Sequence, residues 1–308
     1  MRFCWEKYER ILPISWIIVI DMAYLGKRVS IVITSCKRFH LLRRTLCGLS
    51  ACCEDIDIVD NILFFDDRSS LEDRQEMLKL FNEYFPGTQV HYIFFGEYSF
   101  KPEFKNYRHA MVLNTVRKRL IEMDSDYYLH LEDDYQYMTS FRISDSIDVL
   151  MKSDEYAYVC HYQNWKHFPK EYNIKWVGNF WEWYYDPNLP PNIPLFDDRI
   201  LALQEATLSP HEYVHRTWIR YQNWPHYSLR PGVHDVKKFL SIGEFSTSYD
   251  INNNSVEYEF ATRWIQKYKT LCVKNFHILN LAPNFTVNSE LSAYKLTYGN
   301  DPDWKTKE

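Results

Sequence analysis

Short apolar runs and segments of helical periodicity alternate along the first half of the chain. The runs RVSIVIT (28–34), NILFF (61–65), VHYIFF (90–95) and YYLHL (127–131) are nearly continuous in β-branched, aromatic and leucine residues. Such runs are typical of strands that are buried on both faces of a sheet. The pattern therefore predicts four buried strands in the first half of the chain.

Helices are predicted between these strands. Apolar residues recur at offsets of three and four within 39–49 and within 113–123, which is the spacing of one helix face. A third helix is indicated by Ser69, which stands three residues before Glu72 in a capping-box pattern. We expect this helix to end near Pro86 and to bury one apolar face, made of Leu71, Leu78, Phe81 and Phe85.

Strands that alternate with helices form βαβ units. The pattern therefore predicts an α/β protein with a mainly parallel, Rossmann-like central sheet flanked by helices. From about residue 156 to residue 224, Trp, Tyr, Pro and Asn dominate and periodicity is poor. We expect a loop-rich second half that covers the first, with a helix over 255–267 and a strand over 271–281.

Polar and acidic residues follow each predicted strand. Ligands bind beyond the carboxyl ends of parallel strands, so we expect these segments to meet at one functional edge of the sheet. They are Thr34-Ser35, Asp66-Asp67, Gly96-Glu97 and Glu132-Asp133-Asp134.

The acidic triplet Glu132-Asp133-Asp134 indicates a metal site. Three carboxylates directly after a buried strand repel one another unless a cation compensates them. Their oxygen ligands suit Mg²⁺ or Mn²⁺ better than zinc, and such an ion could neutralise the charge of a departing diphosphate. A solvated acidic turn is the alternative. Asp66-Asp67 is similarly ambiguous, because its carboxylates suit a nucleobase N–H or ribose hydroxyls but also occur in ordinary turns.

Taken together, the segments VSIVITSCKRFHLLRRTL, ILFFDDRSS, NYRHAM and DYYLHLEDD resemble the GT-A glycosyltransferases, especially family 2-like enzymes, in order and approximate spacing. The resemblance covers residues 28–137. Further along, SLRPGVHDVKKFLSIGEF and VEYEFATRW resemble the acceptor-side segments of that family. The resemblance implies a GT-A fold with a nucleotide-sugar-binding half (28–155), an acceptor-binding half of the same domain (156–298), an N-terminal extension (1–27) and a tail (299–308).

This resemblance also implies a reaction and a set of site residues. The reaction is transfer of a sugar from a nucleotide-sugar donor to a hydroxyl of a carbohydrate acceptor, with inversion and with Mn²⁺ or Mg²⁺. A UDP-sugar is favoured, since UDP is the commoner donor among similar enzymes. The implied nucleotide-binding residues are Thr34, Ser35, Asp66, Asp67, Arg108 and Asp133, and the implied metal ligands are Asp134, Glu132 and His277.

The catalytic base is expected in the second half, where a carboxylate would deprotonate the acceptor hydroxyl. Glu257 stands six residues before Arg263, as the acidic motif of the resembling family stands before its basic residue. Glu259 is two positions later, on a different face of the predicted helix, so only one of the two should face the site. Asp197-Asp198 is a third candidate.

Composition bears on the binding partners, on the type of ligand and on the cellular compartment. The net charge of -5 argues against nucleic acid as a partner, because phosphate binding needs a basic surface. The aromatic content of 17% suits a carbohydrate site, although aromatic rings also fill cores. The 7 Cys show no C-x-x-C spacing and favour a reducing, cytoplasmic compartment. The apolar stretch 11–25 contains Pro13 and Asp21 and is too short for a stable membrane span, which leaves weak membrane association of the N-terminus as the alternative.

The sequence alone leaves other functions open. The segment HEYVH (211–215) matches the zinc-binding H-E-x-x-H pattern of metallohydrolases, although no further ligand of metzincin type follows. Nucleotidyl transfer would use the same metal and diphosphate chemistry. A catalytically degenerate GT-A protein that only binds carbohydrate is the non-enzyme alternative. Dinucleotide oxidoreductases and P-loop kinases are excluded, because neither G-x-G-x-x-G nor G-K-[ST] occurs.

Overall fold

The computed structural model describes residues 24–35, 37–67, 69–95, 105–162, 176–182, 192–194, 220–222, 226–247, 256–273 and 278–281. The segment HEYVH, the tail and most of the N-terminal extension lie outside these ranges. Among the described helices, none combines the length and the apolar character that crossing a bilayer requires.

The strands and helices predicted in the first half are present, with bounds that differ from the predictions by a few residues. The strands are β1 (Val29–Ser35), β2 (Val59–Asp67), β3 (Gln89–Phe95) and β4 (Tyr127–Glu132). The helices are α1 (Phe39–Cys52), α2 (Leu71–Tyr84) and α3 (Lys105–Glu122).

The later elements are shorter. The strands are β5 (Tyr135–Tyr137), β6 (Tyr156–Cys160), β7 (Trp176–Val177), β8 (Phe180–Glu182), β9 (Asn192–Pro194), β10 (Arg220–Gln222), β11 (Gly232–Asp235), β12 (Lys269–Val273) and β13 (Ile278–Asn280). The helices are α4 (Ile143–Met151), α5 (Val236–Ser241) and α6 (Val256–Trp264).

Most of the described strands form a nine-stranded sheet in the order β3-β2-β1-β4-β11-β6-β12-β8-β7. β3, β2, β1 and β4 are parallel, whereas β11 runs antiparallel between β4 and β6. β12 is parallel to β6, and β8 and β7 complete the sheet in antiparallel pairs. The predicted α/β class with helices around a parallel set of strands is confirmed, and strands of the second half extend the same sheet.

Helices cover both faces of this sheet. One face includes Ile31 and Leu129 and packs against α1, α2 and α4. The opposite face includes Val32 and Tyr128 and packs against α3, α5 and α6. Successive strand residues point to opposite faces, so a strand that is covered on both sides reads as a continuous apolar run in the sequence.

Helix α2 begins one residue later than the predicted capping box implies. Its N-cap is Ser70, whose hydroxyl oxygen accepts a hydrogen bond from the backbone N–H of Asp73 at 3.0 Å. The side chain of Ser69 instead accepts a hydrogen bond from the backbone N–H of Lys37 at 3.1 Å, which connects this loop to the loop after β1.

The predicted apolar face of α2 is wrong for two of its four residues, since Phe81 and Phe85 are buried but Leu71 and Leu78 are not. Leu71 and Leu78 are 65% and 41% exposed. Phe81 belongs to two rows of apolar residues on the helix, one with Leu71 and Leu78 and the other with Met77 and Leu80. Its ring contacts Phe64 of β2, with centroids 4.8 Å apart. Only one of these rows faces the sheet, and its buried residues are Met77, Leu80 and Phe81.

The strand predicted over 271–281 divides into two strands of different sheets. β12 joins the main sheet beside β6, whereas β13 pairs antiparallel with β5. The backbone N–H of Leu281 donates a hydrogen bond to the carbonyl of Asp134 at 2.7 Å. β13 therefore lies beside the acidic triplet at the end of β4.

Gly232 lets β11 approach β6 closely. A Cβ at this position would lie 2.2 Å from the carbonyl oxygen of Val159 and 2.5 Å from the ring of Tyr158, so no other residue fits without displacement. Two residues later, His234 stacks on the same tyrosine ring at 4.0 Å. The start of β11 is thereby fixed next to the end of β4.

Candidate functional site

The carboxyl ends of β1, β2 and β4 lie side by side at one edge of the sheet. Thr34 is paired with Glu132 of β4 and with Phe65 of β2, and Ser35 is paired with Asp66. Neighbouring strands are about 4.8 Å apart, so the polar residues at these three strand ends form one continuous row. The strand pairing therefore brings together three of the four predicted segments, and the fourth, Gly96-Glu97, lies outside the described residues.

The alternation of side chains divides these residues into two sets. The buried set consists of Ser35, Asp66 and Asp133, which are 4%, 0% and 0% exposed, together with Arg38. The open set consists of Thr34, Asp67 and Glu132, which are half-buried. The register places the buried set on the α1 face of the sheet and the open set on the α3 and α6 face.

Arg38 holds Asp133 in the buried set. Its Nη2 and Nε donate hydrogen bonds to the two carboxylate oxygens of Asp133, the second at 3.2 Å. The hydroxyl of Ser35 donates to Oδ2 of the same carboxylate at 2.7 Å, and Thr45 donates to its backbone carbonyl at 2.8 Å. Both oxygens of Asp133 are therefore engaged inside the protein.

Asp134 is engaged through only one of its oxygens. Nη1 of Arg38 donates a hydrogen bond to Oδ2 at 3.1 Å. Oδ1 is buried as well, yet it accepts no hydrogen bond from the described residues. A buried carboxylate oxygen without a donor is costly, so Oδ1 is a natural position for a ligand.

Burial and mutual repulsion disfavour ionisation of the other acids in the triplet. Burial raises the pKa of Asp134 to about 6, against the opposing effect of Arg38. Burial, followed by the charge of Asp134, raises the pKa of Glu132 well above its usual value, and Glu257 adds to this shift. Both carboxyl groups are therefore held in surroundings that favour their protonated form unless a cation is added.

Asp66 stabilises the loop that follows β2. Its Oδ1 accepts a hydrogen bond from the backbone N–H of Ser69 at 3.2 Å, and its Oδ2 accepts one from the hydroxyl of Tyr92. Burial raises its pKa, although these hydrogen bonds act in the opposite direction. The next residue, Asp67, is half-buried on the other face, with the open set.

The two candidate bases on α6 have different partners. Oε1 of Glu257 accepts a hydrogen bond from the backbone N–H of Leu229 at 2.8 Å, and its charge reaches Glu132. Glu259 accepts two hydrogen bonds from Arg263, at 2.8 and 2.9 Å, in a pair that belongs to the helix surface. Of the two, only Glu257 is near enough to Glu132 for its charge to act on that carboxylate.

Sequence reasoning missed two arginines in this region. Arg38 is the N-cap residue of α1, and its guanidinium lies between the acids of the triplet. Arg230 precedes β11 and lies over the ring of Tyr162 at 5.4 Å, close enough to Glu257 for a Coulombic interaction. A basic residue four positions after Thr34 is the signal that could have identified Arg38 as a counter-charge.

The donor set partly fits a divalent cation. The described residues contain no group of three or more His, Cys, Asp or Glu placed to hold a metal. Charge and oxygen chemistry nevertheless favour a cation that takes its remaining ligands from water and phosphate, as Mg²⁺ often does. Four carboxylates meet two guanidiniums, which leaves two negative charges: the acids are Glu132, Asp133, Asp134 and Glu257, and the bases are Arg38 and Arg230.

Several predicted residues cannot be placed. Arg108 lies in α3, where only its backbone is described. His277, Asp197 and Asp198 lie outside the described residues, as does the HEYVH segment.

Comparison with known proteins gives weak similarities. No protein-family model and no curated protein sequence matches the chain. Among solved structures, a mannosyltransferase from Pyrobaculum calidifontis, PcManGT, in complex with GDP-Man and Mn²⁺, is 12% identical with a TM-score of 0.48, over 88% of this chain and 61% of that one. TarS of S. aureus is 9% identical with a TM-score of 0.45, over 83% of this chain and 37% of TarS. Similarity at this level defines neither a shared fold nor a shared function.

Proposed function

We propose that this chain is a GT-A glycosyltransferase, which transfers a sugar from a nucleotide-sugar donor to a hydroxyl of a carbohydrate acceptor. One observation carries the proposal. The open set and Asp134 combine polar groups from three strands at one sheet edge, and Glu257 approaches them from α6. The sequence resemblance over residues 28–137 points to the same chemistry.

The nucleotide is proposed to bind along the ends of β1 and β2. Asp67 would accept a hydrogen bond from the N–H of a uracil or guanine base, and Thr34 would contact the base or the ribose. Ser35, Asp66 and Asp133 would form the framework that fixes these strand ends, because their polar atoms bond within the protein. Arg108 is proposed to lie near the base or the phosphates.

The donor diphosphate is proposed to lie beyond β4. Asp134 through Oδ1, and Glu132, would hold a Mg²⁺ or Mn²⁺ ion, with His277 as a further ligand. Such an ion, when bound, would neutralise the charge that develops on the departing nucleoside diphosphate. A UDP-sugar is the favoured donor, and residues 28–155 would form the nucleotide-binding half.

The base is proposed to be Glu257. The hydrogen bond from Leu229 fixes Oε1, and Oε2 receives none from the described residues, so Oε2 can take the proton of an acceptor hydroxyl. Glu259 is less suited, because both of its oxygens accept hydrogen bonds from Arg263. Residues 156–298 would form the acceptor half, whose many aromatic side chains suit stacking on a sugar ring. A single base suits direct transfer with inversion.

Calorimetric titration of the full chain with UDP and GDP, each with and without Mn²⁺, tests the proposal. We expect one nucleotide to bind at least about tenfold more tightly with Mn²⁺. Asp134→Asn should remove this dependence. Asp57→Asn is the matched control, because Asp57 is exposed just before β2, at the opposite edge of the sheet.

The outcomes separate this proposal from its alternatives. Binding of neither nucleotide would contradict it and would direct attention to zinc chemistry at the HEYVH segment. Mn²⁺-dependent binding without release of nucleotide from any sugar donor would instead indicate a degenerate protein that binds without turnover.

A further inference from the structure

Arg38 lies where a cation would otherwise be needed. Its side chain is 9% exposed, and the carboxylates that it contacts belong to Asp133 and Asp134, whose side chains are 0% and 9% exposed. A buried charge of either sign is stable only when it is paired and hydrogen-bonded. The guanidinium therefore supplies from within the chain a positive charge that the acidic triplet requires.

The backbone around this ion pair fixes both partners. Arg38 caps α1, and its carbonyl accepts hydrogen bonds from the N–H groups of Leu41 and Leu42, both at 3.0 Å. The N–H of Asp133 donates to the carbonyl of Thr34 at 3.0 Å. The guanidinium and the carboxylate are therefore brought together by the start of a helix and the end of a parallel strand pair.

We propose that Arg38 is a built-in cation, which allows the acidic triplet to fold without metal and leaves Oδ1 of Asp134 as the point at which a divalent cation can join. The guanidinium occupies both oxygens of Asp133 and one of Asp134. Asp133 is thus withdrawn from any metal-ligand set. Arg38 is a positioning residue in this scheme, since it acts through Asp134.

Charge explains why the arginine and not a metal ion must hold the folded triplet. When all are ionised, the three acids exceed the guanidinium of Arg38 by two charges, and the guanidinium contacts Asp133 and Asp134 directly. Without the guanidinium a third surplus charge would be buried with no partner. A divalent cation could then take its place, because carboxylate oxygens are the ligands that Mg²⁺ and Mn²⁺ prefer.

Thermal unfolding of Arg38→Met tests this directly in the full chain. We expect the midpoint Tm to fall by roughly 5–15 °C, the effect of leaving buried acids unpaired. Millimolar Mn²⁺ should restore at least half of the loss in this variant and should shift the unsubstituted protein by less than about 2 °C. Arg43→Met is the matched control, because Arg43 is on the same helix but 55% exposed, in a loose pair with Glu83.

A second substitution covers the case in which Arg38→Met does not fold. Adding Asp133→Asn removes the carboxylate that the arginine neutralises, so Arg38→Met/Asp133→Asn should regain at least half of the lost Tm without metal. The proposal is overturned if this double variant is no more stable than Arg38→Met. It is also overturned if Mn²⁺ alone stabilises the unsubstituted protein as strongly as the variant, since metal would then be needed beside the arginine.

The inference rests on the proposed function only in treating Oδ1 of Asp134 as the cation ligand. Stability measurements without nucleotide decide the role of Arg38, whatever the outcome of the UDP and GDP titrations. Failure of nucleotide binding with the expected Tm pattern would overturn the glycosyltransferase proposal and leave the built-in cation intact.

Discussion

The buried set and the open set come from the same three strand ends and differ in almost every physical respect. Ser35, Asp66 and Asp133 are fully enclosed, and their polar atoms bond to groups within the protein. The open set lies one residue away along each strand and is half-buried. A single row of polar residues thus provides both a rigid support and a surface that a ligand can reach.

This difference shows that adjacent acids in one motif need not share a role. Asp133 and Glu132 are neighbours in sequence, yet a strand sends successive side chains to opposite faces. Asp133 meets Arg38 on the α1 face, whereas Glu132 is close to Glu257 on the α6 face. The division predicts that substitutions in the buried set mainly change stability, and that those in the open set mainly change binding.

The largest effect is expected for Asp133→Ala. This change leaves the guanidinium of Arg38 buried with only Asp134 as a partner, which should cost about 3–5 kcal/mol in the free energy of unfolding. Urea unfolding followed by circular dichroism measures it. A cost below about 1 kcal/mol would show that the ion pair does not support the fold and would remove the distinction between the sets.

Glu257→Gln tests the carboxylate that approaches the open set. Loss of a general base should lower turnover of a sugar donor by about 10²- to 10⁴-fold, with unfolding nearly unchanged because the amide oxygen can still accept from Leu229. Glu259→Gln is the matched control on the same helix. It disrupts a pair with Arg263 that is about one-third exposed, so it should cost at most about 0.5 kcal/mol and leave turnover unaffected. If Glu257→Gln and Glu259→Gln had the same turnover, Glu257 would not be the base. Asp197 and Asp198 would then be the next candidates.

Asp67→Asn should weaken nucleotide binding by about 10- to 100-fold, the value of a hydrogen bond to a charged acceptor. The free energy of unfolding should change by less than about 0.5 kcal/mol, since Asp67 is only half-buried. Titration calorimetry beside urea unfolding separates the two effects. Asp66→Asn should show the opposite pattern, and similar profiles for the two variants would contradict the division.

Two buried histidines, His130 and His234, differ from the buried set, in which Asp133 is paired with Arg38. Burial lowers the pKa of His130 to about 3 and that of His234 well below its usual value. Nε2 of His130 and Nδ1 of His234 have no hydrogen-bond partner among the described residues. The folded protein therefore holds both rings in the neutral form.

The sign of the pH effect follows from these lowered values. Below pH ~6.5 these histidines become protonated in the unfolded state but stay neutral in the folded state. The free energy of unfolding therefore falls as the pH drops from about 6.5 towards 3. The loss for His130 should be about 2 kcal/mol at pH 5. Urea unfolding of His130→Gln measured from pH 6.5 to pH 5 should lose about 2 kcal/mol less free energy of unfolding than the unsubstituted protein. A slope unaffected by His130→Gln would assign the acid sensitivity to other groups.

The sequence predicted the first half of the fold well because its signals are local. β1, β2 and β4 are largely buried on both faces, so their apolar runs are typical of strands in a covered sheet. β3 is an edge strand whose residues are half-buried or exposed, so the prediction that it is buried on both faces was wrong. The strand ends then marked the functional edge, and the acidic triplet drew attention to it. Each of these inferences needed only neighbouring residues.

Features that depend on distant partners were not predictable in this way. Asp133 and Arg38 are 95 positions apart, and the position of Arg38 after β1 suggests a counter-charge without indicating which acid it pairs with. The buried face of α2 was predicted only in part, because two apolar rows share Phe81 and the local pattern does not show which of them faces the sheet. The break between β12 and β13 likewise depends on β5, which provides the partner for β13.

The position of β11 between β4 and β6 has a consequence for biosynthesis. Tyr127 of β4 is paired with Asp235 of β11. One edge of β4 therefore stays unpaired during synthesis until β11 has been translated, roughly a hundred residues later. During that interval β1, β2, β3 and β4 can assemble, but they expose an apolar, hydrogen-bonding edge that invites association with other nascent chains. Shielding of this edge until β11 emerges, by a chaperone or by slow translation, would decide how much newly made protein reaches the native state.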